Sequence, residues 1–464
     1  MNSLENASVY RLLWKYCIPS MIGMTVQGVT NIITGIFLGR VLGQEALAAV
    51  LYATPFQVIT IACGTLVGLG AAAQVSLRLG RKSHEGAEEV VGNALILMLL
   101  ISSIEIALQL IFLTPLLQLS GAKGAVLDMA WTYTFMTVAS SLFANLGFGF
   151  NNIIRAEGNP RAAMRSMLLI AIVSVLLNWL FIVKLNWGAF GAGLSVALAN
   201  FSLAIWVLWF FTTKHSLLKF RWKTFRLRKR TVLPILGIGA APCVMQVTAC
   251  VQAAVLNYQL SFYGGNDAMA LMSVIIRVSL VVFMIITGLS QGAQPIIGYN
   301  YGAQQWLRVR QALWGGIVGA TAVAVLGFLI IMVFPREVMS IFMAEKDARL
   351  LNSGVPAIRL CLIMMATSGY QIVCVSYFQA IGRPRTSICL TIMRRLLFLT
   401  PLLIILPRFW SVQGIWSAYA IADGAAAVVI AVIIAWEMGR LTIQPEPKEI
   451  SSEKTLVQLP EELY

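Results

Sequence analysis

MLLIAIVSVLLNWLFIVKLNWGAFGAGLSVALANFSLAIWVLWFF (167–211) holds a single ionisable side chain, Lys184, between two apolar runs at 162–184 and 189–212. An apolar run of about 20 residues crosses a bilayer as one helix. The two runs are separated by a short turn and read as an out-and-back pair of spans. The rest of the chain repeats this pattern from end to end. About twelve spans are predicted, near 16–38, 46–76, 89–115, 126–152, 162–184, 189–212, 233–262, 268–298, 310–334, 353–380, 386–407 and 412–437. The runs are continuous rather than alternating, which excludes the strands of a membrane barrel. The expected fold is therefore an all-α polytopic membrane protein. Pro19, Pro55, Pro242, Pro295 and Pro401 fall within spans or near their ends, where proline marks a bend.

Composition agrees. Hydrophobic residues make up 59% of the 464 and charged residues 11%, against about 25% charged in a soluble domain. The net charge of +15 raises nucleic acid as a partner, but the basic residues sit at span ends and in short loops, so no nucleic-acid partner is expected. Loops after even-numbered spans hold 18 Lys and Arg, and loops after odd-numbered spans hold 7. The positive-inside rule then places the even loops and both termini in the cytoplasm. The opening MNSLENASVYRLLWKY lacks a cleavage site after a short apolar stretch and reads as the approach to a retained first helix. KHSLLKFRWKTFRLRKR (214–230) reads as an inner-face linker resting on anionic headgroups, and the segment after Gly439 as a polar tail.

Seven cysteines lie in or beside apolar segments with no CxxC pair, and His84 and His215 lie in polar loops, so no metal site or cofactor is expected. GTLVGLGAAAQ (64–74) sets Gly64 and Gly68 four apart and reads as close helix packing. No GxxxxGK[ST] stretch occurs, which argues against direct drive by ATP.

The two halves resemble each other. RAEGNPR (155–161) answers QAIGRPR (379–385) at an offset of 224, FGAGLSVALAN (190–200) answers QGIWSAYAIAD (413–423) at 223, GLGAAAQ (68–74) answers GLSQGAQ (288–294) at 220, and LGQEALA (42–48) answers YGGNDAMA (263–270) at about 222. Six spans per half make the repeats parallel, giving two six-helix lobes related by pseudo-two-fold symmetry about the membrane normal. The expected division is an N-lobe over 1–213, a basic linker over 214–231, a C-lobe over 232–439 and a tail over 440–464. Lobes of this kind can rock about a shared cleft, which is the geometry of alternating access. A channel would want a filter sequence, and none is visible.

GLSQGAQPIIGYNYGA (288–303), with Arg277 eleven residues upstream, resembles the multidrug and toxic compound extrusion (MATE) family, particularly its DinF-like branch. RAEGNPR, QAIGRPR and GRVLGQEALAA (39–49) are similar to that family as well. The resemblance implies a secondary active transporter rather than an enzyme. It would export amphipathic, cationic small molecules across a bacterial cytoplasmic (inner) membrane by proton or sodium antiport, acting as a monomer among membrane lipids. In the family an aspartate is common in the first span, where this chain has Thr34. An asparagine and aspartate pair is common in the fifth, where it has Ser174 and Asn178. Neutral groups of this kind can coordinate sodium or hydrogen-bond a substrate but cannot carry a proton near neutral pH.

Ionisable groups at membrane depth are costly and so point to function. Asp423, where the DinF-like branch often has an aspartate, reads either as the coupling or substrate residue or as half of an ion pair with Arg395. Arg394 and Arg395 project about 100° apart on an α-helix. Glu105 reads as a second candidate acid or as a residue near the outer interface. Asn151, Asn152, Gln291 and Gln294 read as helix-to-helix hydrogen bonds or as cleft lining. The alternative functions are a flippase for a lipid-linked precursor, for which Arg277 and Arg395 would meet phosphates, and a narrow metabolite exporter. A membrane enzyme or sensor would need a catalytic constellation or output domain, and neither is visible.

Overall fold

A computed structural model describes residues 5, 7–37, 41, 43–341 and 348–443. The described residues form helices joined by short turns. Nine of these helices are long and apolar enough to cross a membrane. One of them, Lys229–Gly302, is 74 residues long, or about 110 Å, too long for a single span. Gly265, at φ 59° and ψ −157°, divides it in two.

That division makes ten, and two further stretches, Val9–Phe37 and the helix pair Gly124–Ala139 with Ser141–Ala156, bring the described spans to twelve. They are α1 (Val9–Phe37), α2 (Gly43–Gly80), α3 (His84–Ile111), α4 (Gly124–Ala139 with Ser141–Ala156), α5 (Pro160–Asn178, ending in a π-helical segment Trp179–Lys184) and α6 (Gly188–Thr212). The second half comprises α7 and α8 (the two parts of Lys229–Gly302), α9 (Trp306–Val333), α10 (Ala348–Leu362 with Ser368–Ala380), α11 (Pro384–Ile392, a π-helical segment Met393–Leu399, then Thr400–Ile405) and α12 (Pro407–Ile443). Pro19, Pro55, Pro242 and Pro295 lie inside helices, and Pro401 follows the π-helical segment of α11. Of the stretch predicted as a polar tail, 440–443 continues α12 and the rest lies outside the described residues.

The repeat is visible in the backbone. In RAEGNPR and QAIGRPR, Gly158 and Gly382 both adopt positive φ, at 115° and 77°. Pro160 and Pro384 both open the next helix. Glycine past a helix end and proline in the first turn of the next are each the residue that tolerates its site.

Where the cores lie decides the shape. One apolar cluster draws on both halves: Leu12, Val75, Leu79, Phe150, Ile235, Ile296, Tyr299 and Tyr377 all belong to it. These residues lie toward the ends that carry the basic loops. Toward the opposite end the clusters separate. Leu256, Met272, Ile358, Leu403 and Trp416 pack within the second half, while Phe56, Leu117, Tyr133 and Ile182 pack in two clusters within the first. The lobes are thus joined at the basic end and part toward the other. Their seam depends on glycine: a Cβ on Gly288 or Gly292 of α8 would stand 2.6 Å from the Cα of Met21 or Cys17 of α1, closer than any real side chain approaches backbone. Gly64 and Gly68 lie against Asn145 and Gly149 of α4.

Part of the basic segment expected to rest on headgroups is tied to the first lobe. Arg221 pairs with Glu88 at 2.7 Å and Arg228 with Glu89 at 3.3 Å. Asn93 accepts from the Arg228 backbone N–H and donates to the Thr224 carbonyl. Phe220 joins Phe150 and Phe211 in an aromatic cluster.

Candidate functional site: a cleft with neutral and ionised walls

Polar side chains gather in one centre within each lobe and in a third at their seam, with Glu105 buried apart from all three. In the first lobe Thr34, Ser174 and Asn178 come together. The Asn178 amide donates to Thr34 Oγ1 at 3.2 Å and to Ser174 Oγ at 3.4 Å, and its carbonyl accepts from Ser195 at 2.6 Å. Asn178 sits where α5 passes into its π-helical segment, a feature frequent at functional sites. Every member of this centre is neutral, so it can orient or coordinate but not exchange a proton. Ser195 was not anticipated; its place five residues into FGAGLSVALAN gave no chemical signal.

Glu105 lies apart from that centre. It is only 4% exposed, so it is a buried acid and not an interfacial one. Its carboxylate oxygens accept from Thr60 at 2.5 Å, Asn145 at 2.7 Å and Gln109 at 3.0 Å. These three donors satisfy the buried carboxyl oxygens.

In the second lobe Asp423 pairs with Arg394, Oδ1 to Nε at 3.0 Å. The expected partner, Arg395, instead donates to Gln252 at 3.4 Å, and Gln252 donates to the Tyr419 hydroxyl at 3.3 Å. The cause lies in α11. Both arginines fall in the π-helical segment Met393–Leu399, whose wider turn changes the angle between successive side chains from that of an α-helix. Gln371 donates to the Asp423 carbonyl at 3.3 Å. Arg277 is exposed on α8, and none of the described hydrogen bonds or ion pairs includes it.

The third centre is the seam. Asn151 donates to the Ala163 carbonyl and Ser166, and it accepts from Arg155 at 2.8 Å. Asn152 accepts from Arg155 at 2.9 Å, and Gln291 of α8 accepts from Arg155 across the lobes. Gln294 donates to Gln379 at 3.4 Å. The stretch 288–303 is therefore a lobe-to-lobe surface. Outside the spans, Glu157 is 1% exposed. It accepts from Asn159 and Ser216, while burial pushes its carboxyl up to about 7. Glu437 of α12 pairs with Arg383 at 3.2 Å and accepts from Tyr377. Sequence reasoning counted Arg155 and Arg383 only as loop charges and passed over Glu157 and Glu437. An acid at the basic end of an apolar span, beside a repeat loop, was the available signal.

Among the described residues no group of His, Cys, Asp and Glu could hold a metal ion. The arrangement offers polar and ionised side chains inside a two-lobed membrane bundle.

Comparison with known proteins accords with this. The chain is 23% identical over 439 residues to the multidrug export protein MepA of Staphylococcus saprophyticus, covering 95% of this chain and 96% of that protein. It is equally identical, with the same coverage, to MepA of Staphylococcus aureus. Its fold matches a MATE transporter crystallised in complex with MaL6 at TM-score 0.91, with 24% identity over 95% of this chain and 99% of that one. It also matches an outward-facing MATE family transporter of the MOP superfamily at TM-score 0.90, with 24% identity over 95% and 98%. The MatE family model matches twice, over 19–180 and 242–405, in step with the internal repeat. The chain belongs to the MatE family of multidrug efflux transporters and is a transporter rather than an enzyme.

Proposed function

We propose that this protein exports amphipathic small molecules, organic cations among them, by alternating access coupled to inward flow of protons or sodium. It works as a monomer in a bacterial cytoplasmic membrane with its basic end and both termini inside. Its moving units are an N-lobe over 1–213 and a C-lobe over 232–439, joined through 214–231.

One observation carries the reading: the Asp423–Arg394 pair, 3.0 Å apart, is an ionised pair at membrane depth in a bundle whose lobes meet at one end only. An intramembrane carboxylate with a movable partner can exchange that partner for a proton or a bound cation. Protonation at Asp423 releases Arg394, and the C-lobe repacks around the freed guanidinium. The neutral Thr34, Ser174 and Asn178 centre serves sodium or substrate hydrogen bonding rather than proton transfer. Names of the relatives support multidrug export over lipid flipping.

The test is ethidium efflux from cells or everted vesicles under an imposed proton gradient and then a sodium gradient, with wild type and Asp423→Asn. Gradient-driven efflux that the substitution abolishes is expected. Undiminished efflux from normally expressed Asp423→Asn protein would remove Asp423 from coupling. No efflux under either gradient from folded wild type would favour a flippase or a narrow metabolite exporter.

A further inference from the structure

We propose that Arg155 is an anion-recognition site, which receives the carboxylate or phosphate group of an amphipathic substrate when the seam opens at the basic end. The proposal rests on the export reading above and adds a chemical class to its substrates.

Arg155 is 6% exposed. Its Nη1 donates to Gln291, its Nη2 to Asn151 and Asn152, and its Nε is buried with no partner. None of the five described ion pairs includes it. Glu157, two residues on, is occupied by Asn159 and Ser216. A buried guanidinium served only by neutral amides leaves most of its desolvation cost unmatched, and the missing partner is an anion.

Two small cavities flank the guanidinium, each with room for little more than a water. Ser76, Asn152, Gln291 and Gln294 line one, and Ser20 and Asn151 line the other; neither contains an acid. In the internal repeat the matching position, at an offset of 224, carries no charge: it is Gln379, a neutral amide bonded to Gln294 within its own lobe, so the guanidinium belongs to the first lobe alone. The second lobe leans the same way, with Arg394 on Asp423 and Arg395 on the neutral amide of Gln252.

The bond to Gln291 crosses between lobes, so rocking them apart at the basic end breaks it. Nη1 then joins Nε as a donor without a partner, at the floor of a cleft open to the side from which an exporter loads. Charge-assisted hydrogen bonds to carboxylate or phosphate are the natural replacement.

A matched pair of xanthene dyes tests this, one with a free carboxylate and the other its ethyl ester. Binding is read by fluorescence anisotropy on the full chain in phosphatidylcholine nanodiscs. The free-acid dye should bind roughly tenfold more tightly than the ester. Arg155→Gln should erase that preference and Arg155→Lys should keep part of it. Gln291→Glu leaves the guanidinium in place but hands it a carboxylate; it too should erase the preference, and it covers the case of an Arg155 variant that fails to fold. Equal affinities in wild type, no binding of either dye, or a preference that survives both Arg155→Gln and Gln291→Glu would overturn the proposal. Loss of the preference in phosphatidylglycerol nanodiscs would assign the guanidinium to a lipid headgroup, which also overturns it. Vesicle export separates the two readings: acid-selective binding with neither dye exported sinks the export reading alone, and exported ester without acid selectivity sinks this one alone.

Discussion

Replacing Glu157 by glutamine should remove a defined part of the protein's pH dependence. The carboxyl lies in the turn between α4 and α5, is 1% exposed, and is pushed from 4.5 up to about 7, chiefly by burial. Hydrogen bonds from Asn159 and Ser216 oppose the rise without cancelling it. The folded protein therefore keeps a proton that the unfolded chain releases. Below the unfolded value both states are protonated and the stability is fully present. It falls as pH rises through about 7 and is constant above. A displacement of this size corresponds to about 3 kcal/mol of stability lost between pH 4.5 and 8. Glutamine keeps the shape and some of the hydrogen bonding but does not titrate. The assay is thermal unfolding of purified wild-type and Glu157→Gln protein in one detergent from pH 5 to 8. Glu157→Gln should gain on wild type as pH rises. A difference between the two proteins that is the same at pH 5 and pH 8 would refute the assignment of the raised carboxyl to this turn.

Two further substitutions probe the bundle. Glu105→Gln replaces one oxygen of a carboxyl that accepts three hydrogen bonds by a donor group and should cost about 1–3 kcal/mol in the same unfolding assay, with ethidium efflux retained in the folded fraction. Gly292→Leu puts a side chain where α8 meets the backbone of Cys17; it should hold the lobes apart at the basic end, seen as a lengthened spin-label distance across the seam, and an unchanged distance would count against the glycine-dependent closure.

Much of the architecture was readable before any coordinates. Backbone polar groups in lipid must be satisfied within the segment, so each apolar run had to be a helix, and the out-and-back order followed from short loops. RAEGNPR and QAIGRPR carried their own geometry, because glycine and proline are the residues that permit the positive φ at Gly158 and Gly382 and the sharp restart at Pro160 and Pro384. Family resemblance marked Thr34, Ser174 and Asn178 as separate positions, but that they meet was not read beforehand, since nothing in their spacing linked a first span to a fifth.

Pairings at depth required the folded bundle. The choice between Arg394 and Arg395 turned on a π-helical segment, which changes side-chain direction by an amount that no α-helical wheel contains. Glu105 was ambiguous because burial depends on which helices lie beside it, and Thr60, Gln109 and Asn145 come from three different spans. The linker is a similar case: that Glu88 and Glu89 would take up two of its arginines could not be read from its charge. Sequence by itself determined which segments enter the membrane, how often the unit repeats and which residues are chemically notable, because those depend on local hydropathy and backbone chemistry. Only the tertiary structure decided which lobe ends meet, that Arg155 lies buried between them without a counter-ion, and which acid holds which base. Those outcomes depend on the direction in which each helix presents its side chains, and packing between helices sets that direction.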